Sequence, residues 1–399
     1  MSDDLLSVDD VLLALRERMT PVARTETIPL TDAVGSVLAQ DLIAARSHPP
    51  DDNSAMDGYG FRGEETAFRL IEGRSAAGAP FGGKVGEVEA IRILTGAVIP
   101  DGVDRVVPQE DTRVENGRLM IRKPLLEGTN IRRAGEDLRA GEIALRKGRR
   151  LRPQDIGVAL SVGLSEAVCY APLRVGVIST GDELLPPGAP AGTGQIYDSN
   201  RPMLLGLLKQ WGFDTVDLGH VPDSRDALRD TLNNAVARCD ALISSGGASV
   251  GDEDHVAQLI AQEGRLESWR VAAKPGKPLV LGHWQEVPIF GLPGNPVSAF
   301  VSALIFARPS LTVMSGADWP KPRAWQMPSG FAKDFRSGRR EFLRGRIEDG
   351  ELVAFESDGS GIVSSLSWAE GLIDVPADTT SIRTGDYLRF LPFSSFGLV

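Results

Sequence analysis

Across residues 173–315, apolar runs alternate with amphipathic stretches, and this rhythm constrains the fold more than any other feature of the 399-residue chain. Residues 174–178 predict a strand, and helical spacing follows over 202–211, ending at Gly212. A strand at 215–218 precedes a helix over 225–238 with Ser224 as its cap. Strand 241–243, helix 256–262, strands 279–281 and 287–290, and helix 297–307 complete the series. Such alternation implies a parallel sheet covered by helices, with ligands collecting at the loops that leave the strand C-termini.

The phrases that carry chemistry fall on those loops. Ser244-Ser245-Gly246-Gly247-Ala248-Ser249-Val250-Gly251-Asp252-Glu253-Asp254 stands between a predicted strand and a predicted helix. Glycines there let backbone approach a ligand, and N–H groups at a helix start attract anions. It is neither a Walker loop nor a G-x-G-x-x-G turn, and alone it is also compatible with a tight connection. Its carboxylates suit a divalent cation. Lys274-Pro275-Gly276-Lys277-Pro278 sets two lysines around a bend, which reads as an oxyanion holder or as two solvated side chains.

Three more segments share that edge. Ser179-Thr180-Gly181-Asp182-Glu183-Leu184 combines hydroxyls with acids, the groups for phosphate contact and metal or water binding, or for a solvated turn. Tyr197-Asp198-Ser199-Asn200, read alone, is a helix cap. Gly291-Leu292-Pro293-Gly294-Asn295-Pro296 is a rigid bend, with Pro296 in the first turn of the next helix.

Bulk properties narrow the class. A 42% hydrophobic and 24% charged composition is that of a soluble globular protein, and length predicts two to four domains. No stretch is expected to reach the ~20 apolar residues of a membrane span. The acidic start lacks a secretory signal, so a cytoplasmic setting is expected. Cys169 and Cys239 read as buried free thiols, and the four histidines do not cluster with them into a zinc site. A net charge of −11 argues against a nucleic-acid surface.

Outside the alternating region the text changes. A first helix is capped by Ser7, with Val8, Val11, Leu12, Leu15 and Met19 on one face. Residues 32–39 look helical, and residues 48–53 break regular structure. From there to 138, β-like runs at 68–71, 90–94, 105–107 and 119–121 alternate with turn residues, predicting a small β module. Within it, the polar segment 51–59 is either a turn-rich linker or a loop offering Asp57 to a pocket. Residues 151–164 look helical again, and the chain after 322 reads as a small β domain.

In order, the phrases around Asp57, Thr95, 130–137, 179–184, 195–200, 244–254, 274–278 and 291–298 resemble the molybdopterin molybdenumtransferase (MoeA) family, also met as the E domain of gephyrin. The resemblance spans nearly the whole chain. It implies a multi-domain α/β plus β fold with four domains: an elongated helical domain (1–48 with 139–172), an inserted β-rich domain (49–138), a three-layer α/β molybdopterin-binding domain (173–320) and a C-terminal β-barrel domain (321–399). It further implies a homodimer, with the site between the α/β domain of one subunit and the β insert of the other. The implied reaction joins molybdate to adenylylated molybdopterin with Mg2+, releasing molybdenum cofactor and AMP as the last step of cofactor synthesis.

Residue roles also follow from the resemblance. Asp57, Asp137, Glu183, Asp223 and Asp254 would be catalytic, and Glu183, Asp223 and Asp254 would hold the cation. Thr180, Gly181, Ser245, Gly246, Gly247, Ser249 and Gly251 would cradle phosphates. Lys274, Gly276, Lys277 and Pro278, with Ser360 and Arg340 or Arg344, would hold molybdate. Thr95, Arg132, Pro293, Gly294, Asn295 and Pro296 would complete the substrate contacts. The molybdopterin adenylyltransferase and molybdoenzyme chaperones would be protein partners. A catalytically silent scaffold of the gephyrin type is the alternative, and the five acids argue against it. Molybdopterin adenylylation belongs to a lone α/β domain, which the additional domains here disfavour.

Overall fold

The computed structural model describes residues 5–246, 255–276, 278–336 and 338–398. Two compact units result: Met1–Glu26, Gly35–Val37 and Tyr170–Val399 form one, and Thr27–Val34 with Leu38–Cys169 form the other.

The larger unit is built on a six-stranded sheet. Its order is Asp214–Val221, Arg174–Thr180, Ala241–Ser245, Val287–Leu292, Pro278–Trp284 and Arg265–Arg270. The first four strands run parallel, as the alternation predicts. Pro278–Trp284 runs antiparallel to its neighbours on both sides, so the sheet is mixed. Arg265–Arg270 went unpredicted because Arg265, Glu267 and Arg270 break any apolar run, as an edge strand permits.

Helices cover both faces. Asn200–Gln210 and the run from Pro296 to Met314 pack on one side, around Leu204, Leu207, Phe290, Leu304 and Leu311. Arg225–Ala235 and His255–Glu263 cover the other, around Leu228, Leu232, Leu259 and Ile289. Helix Val8–Arg18 adds Val8, Val11 and Leu15 to the first of these cores. Against expectation, the helical run Pro296–Met314 is long and apolar enough to cross a membrane. Its apolar window is 83% buried, so it is the core helix of this unit.

A second sheet follows in the same unit. Ala273–Lys274, Arg340–Glu348, Gly371–Val375, Tyr387–Pro392 and Trp325–Pro328 are neighbours in that order, and Glu351–Ala354 pairs with Arg340–Glu348. A bridge between Ser329 and Leu352 joins its two ends, so the strands close on themselves as a small barrel around Leu343, Ile373 and Phe390.

The smaller unit holds another six-stranded sheet, ordered Arg105–Pro108, Gly58–Phe61, Glu89–Ile93, Ala67–Ser75, Arg118–Ile121 and Thr112–Glu115. The expected β module is therefore present, with one correction. Gly58–Phe61, which starts inside the segment 51–59 read as a linker or loop, is an interior strand. It passes so close to its neighbour that a Cβ at Gly58 would lie 1.8 Å from the Val107 carbonyl oxygen.

The helical character expected of 1–48 with 139–172 is also reduced. In the smaller unit one α-helix, Pro153–Ser161, is found among the described residues. Residues 32–39 are not a helix. A 3-10 turn at Leu30–Asp32 is followed by Gly35 at φ +88° and strand Val37–Leu38, a conformation that breaks helical continuity.

Candidate functional site

Parallel register aligns three strand ends. Ser179 sits opposite Ser245, and Ser245 opposite Leu292, so the chain leaves all three strands at one edge. Thr180, Glu183, Ser245, Gly246, Gly294, Asn295 and Pro296 line a cavity of about 370 Å3 there, with Tyr197, Asp198 and Asn200. Gly246 adopts φ +91°, and a Cβ on it would lie 2.8 Å from the Thr180 carbonyl oxygen. Only glycine meets both demands.

Asn200 stitches the edge together. It begins helix Asn200–Gln210, and its Nδ2 donates to Ser245 Oγ at 2.9 Å and to the Gly294 carbonyl at 2.6 Å. Its Oδ1 is buried without a partner among the described residues. Asp198, 2% exposed, accepts from Ser179 Oγ at 2.6 Å and from Arg201 Nε at 2.9 Å. Read alone, 197–200 is only a cap; the structure makes it the brace of the cavity. The missed signal was an acid and an amide placed where a strand edge needs both an acceptor and a donor.

The two described acids of the expected cation set stand on neighbouring loops. His220 Nε2 lies 2.8 Å from the Gly181 carbonyl. Asp182 N–H donates to Asp223 Oδ2 at 3.3 Å, while Asp223 N–H donates to Asp182 Oδ1 at 3.0 Å. Glu183 lines the cavity; Asp223 does not line it. Gly247, Ser249, Gly251, Asp254 and Lys277 lie outside the described residues, as does the side chain of Pro278. No group of three metal-capable side chains converges among the described residues.

A second cavity, of about 520 Å3, is lined by Lys274, Lys333, Asp334, Phe335, Arg336, Arg339, Glu341 and Asp358. Ala273–Lys274 pairs in parallel with the barrel strand, placing Lys274 opposite Glu341. Lys274 Nζ donates to Glu341 Oε2 at 3.1 Å and to Asp358 Oδ2 at 3.0 Å, and Lys333 Nζ pairs with Asp358 Oδ1. Burial disfavours the Lys274 charge, but bonds to Asp358 and Glu341 outweigh it and push its pKa up. The same balance holds Asp358 below the usual carboxylate range, burial being overcome by Lys333 and Lys274. Gly276, between the two lysines of its phrase, packs closely on the Gly291–Pro296 bend: a Cβ there would lie 3.4 Å from Pro293 Cγ. Ser360 is tied to the same region, its carbonyl accepting from Val297 N–H at 3.0 Å.

Arg340 and Arg344 are not among the residues lining this cavity. Arg340 Nε and Nη2 donate to Asp374 at 2.6 and 2.7 Å, and its Nη1 donates to Asp9 at 2.8 Å. Arg344 is 2% exposed, and its Nε donates to Ser365 Oγ at 3.1 Å. The cations that face the cavity beside Lys274, namely Lys333, Arg336 and Arg339, belong to no motif read from sequence. Their signal was only a local density of basic residues over 333–340.

In the smaller unit, Asp57 precedes the interior strand, and its Oδ1 accepts from the N–H and the hydroxyl of Thr95, each at 2.7 Å. The Thr95 N–H first, then its hydroxyl, hold the Asp57 carboxyl below its ordinary range. Arg132 lies on a two-residue strand paired with Asn53–Ser54. Asp137 N–H donates to the His48 carbonyl at 3.2 Å, and both Arg132 and Asp137 are exposed. Asp52 braces this arm through Arg133 and the Ala134 N–H.

The chain matches three family profiles: "MoeA N-terminal region (domain I and II)" over residues 6–163, "Probable molybdopterin binding domain" over 176–313, and "MoeA C-terminal region (domain IV)" over 328–393. A molybdopterin molybdenumtransferase of Haemophilus influenzae is 34% identical across 98% of this chain and 99% of its own. One from Nostoc is 35% identical, with 94% and 90% covered. A solved molybdopterin biosynthesis MoeA protein of Pyrococcus horikoshii superposes with a TM-score of 0.83 at 30% identity, over 97% of this chain and 99% of that one. With matches that run from the N-terminal region through the barrel, the chain belongs to the MoeA family of molybdopterin molybdenumtransferases, enzymes of molybdenum cofactor biosynthesis.

Proposed function

We propose that this transferase carries out the metal-inserting step: adenylylated molybdopterin and molybdate enter, and molybdenum cofactor and AMP leave. The observation that carries the reading is the pairing of two unlike cavities in one unit. A cavity walled by strand-end backbone and hydroxyls and a separate lysine-lined one both belong to the larger unit. The first suits a phosphorylated pterin nucleotide, whose oxygens accept from backbone N–H and hydroxyl donors. The second suits a dianionic oxyanion, which takes charge-assisted hydrogen bonds from lysine.

Glu183 and Asp223 supply carboxylate oxygens, the donor class of a hard cation, on loops tied together at Gly181–His220 and Asp182–Asp223. They are the described residues that would hold Mg2+, with Asp254 proposed as a third. Such an ion, when bound, neutralises charge on the departing phosphate oxygens. Within the chain, Asn200 keeps Ser245 and Gly294 in place at the nucleotide cavity, and Lys274 is the charged donor for the oxyanion. Asp57, Thr95, Arg132 and Asp137 are proposed to act in the same reaction. A homodimer in the cytoplasm, handing its product to molybdoenzyme chaperones, belongs to this reading; the buried Cys169 and Cys239, which form no disulfide, support a reducing compartment.

The test is AMP release from adenylylated molybdopterin by the purified protein, followed by chromatography. Release is expected only when molybdate and Mg2+ are both present. Release that ignores molybdate, or none with both present, would sink the reading.

A further inference from the structure

We propose that the Asp358 carboxylate is an internal stand-in for the oxyanion: it holds the place at Lys274 and Lys333 that a dianion takes by displacing it. The proposal rests on the reading of Lys274 as an oxyanion donor and adds a selection rule to it.

The two acids on Lys274 are not equivalent. Glu341 is 6% exposed, sits on a barrel strand and faces Lys274 through strand register, so it is fixed. Asp358 has a side chain 33% exposed and lies in the irregular segment between strand Glu351–Ala354 and helix Ser364–Trp368. One of its oxygens meets Lys274 at 3.0 Å and the other pairs with Lys333. Two oxygens bridging two ammonium groups is what a tetrahedral oxyanion would present at the same place. The backbone on either side is anchored: Arg344 Nη2 donates to the Ser357 carbonyl, and the Ser360 carbonyl accepts from Val297 N–H. Asp358 therefore leaves by turning its side chain rather than by carrying the loop away.

Charge makes the exchange selective. Lys274 and Lys333 balance Glu341 and Asp358, while Arg336 and Arg339 line the same cavity with no ion-pair partner among the described residues. Asp334, the remaining acid, pairs with Arg383. A monoanion replacing Asp358 brings no added charge and must compete with a tethered group whose effective concentration is on the order of millimolar. A dianion brings one more negative charge to two unspent guanidinium groups. It wins where a monoanion does not.

The experiment is calorimetric titration of the full-length protein with molybdate, sulfate and nitrate at fixed ionic strength, comparing wild type with Asp358→Asn. Removing the tethered charge should tighten molybdate and nitrate binding alike by about tenfold, because both are freed of the same competitor, while molybdate stays the tighter of the two. Lys333→Met should weaken molybdate binding by a similar factor, which separates the bridge from a general charge effect. Asp358→Ser gives the same reading if the asparagine variant misfolds. Molybdate binding to wild type with unchanged or weaker binding to both Asp358 variants overturns the displacement alone. No oxyanion binding by any of the proteins would overturn the role of Lys274, and the displacement with it.

Discussion

Asp57 and Asp155 show how the same side chain is put to opposite uses. The Asp57 carboxylate is exposed and its Oδ1 accepts from the N–H and the hydroxyl of Thr95, which hold its pKa below the ordinary range. Asp155 is 3% exposed and serves the fold. It accepts from the N–H and guanidinium of Arg152 and from Arg149 Nη2 at 2.8 Å, and Arg152 foremost draws its pKa far below the carboxylate range. A depressed folded-state pKa contributes stability above the unfolded value and loses it as pH falls. Asp155→Asn should therefore cost about 2 kcal/mol at pH 7, the scale of a charged hydrogen-bonded group left unmet. The gap to wild type should begin to narrow below about pH 4, where the unfolded carboxyl takes up its proton, and keep narrowing as pH falls toward the depressed folded-state value. Urea melts at pH 7 and pH 3 check this, and a gap unchanged between them would refute the charge argument. Asp57 was legible as a candidate from its motif. Its dependence on Thr95 was not, because 38 residues separate them and only folding makes them neighbours.

Apart from the edge strand Arg265–Arg270, the elements of the α/β sheet were read within a few residues because their hydrophobic period is local. Helix Arg225–Ala235 and strand Arg174–Thr180 bury the side chains that the period selects. Misreadings came where neighbours overrode the local signal. Gly58–Phe61 alternates two glycines with Tyr59 and Phe61, too short an alternation to read as a strand, yet its burial between two strands makes it interior. At the turn after Ala241–Ser245, the constraint is the element's own. Gly246→Ala would combine a left-handed φ with a Cβ 2.8 Å from the Thr180 carbonyl. We expect a loss of about 1–3 kcal/mol, seen as a lowered melting temperature. AMP binding should be lost with it, because the Thr180 and Gly246 walls would be pushed apart. A variant as stable as wild type would show that the loop relaxes freely.

At the scale of the molecule, a net charge of −11 repels anionic substrates, yet both are expected to bind. Screening confines that repulsion to about 10 Å at ordinary salt, so local donors decide. Ligand linkage gives a direct check. AMP at a hundred times its Kd should stabilise the protein by about 2.7 kcal/mol and raise its melting temperature by a few degrees. Thr180→Val should keep the unliganded melting temperature and lose the rise, since the hydroxyl lines the cavity while the strand remains. A melting temperature indifferent to AMP at every concentration would remove the nucleotide from this cavity. What the sequence by itself determined was the alternating architecture, the loops that would carry chemistry and the family, because periodicity, turn residues and ordered motifs are properties of short segments. Only the tertiary structure decided that Arg340 serves Asp374, that Lys333 and Asp358 join Lys274, and that Asn200 braces the strand edge. Those are pairings across 25 to 94 residues, and no local pattern encodes which charge meets which.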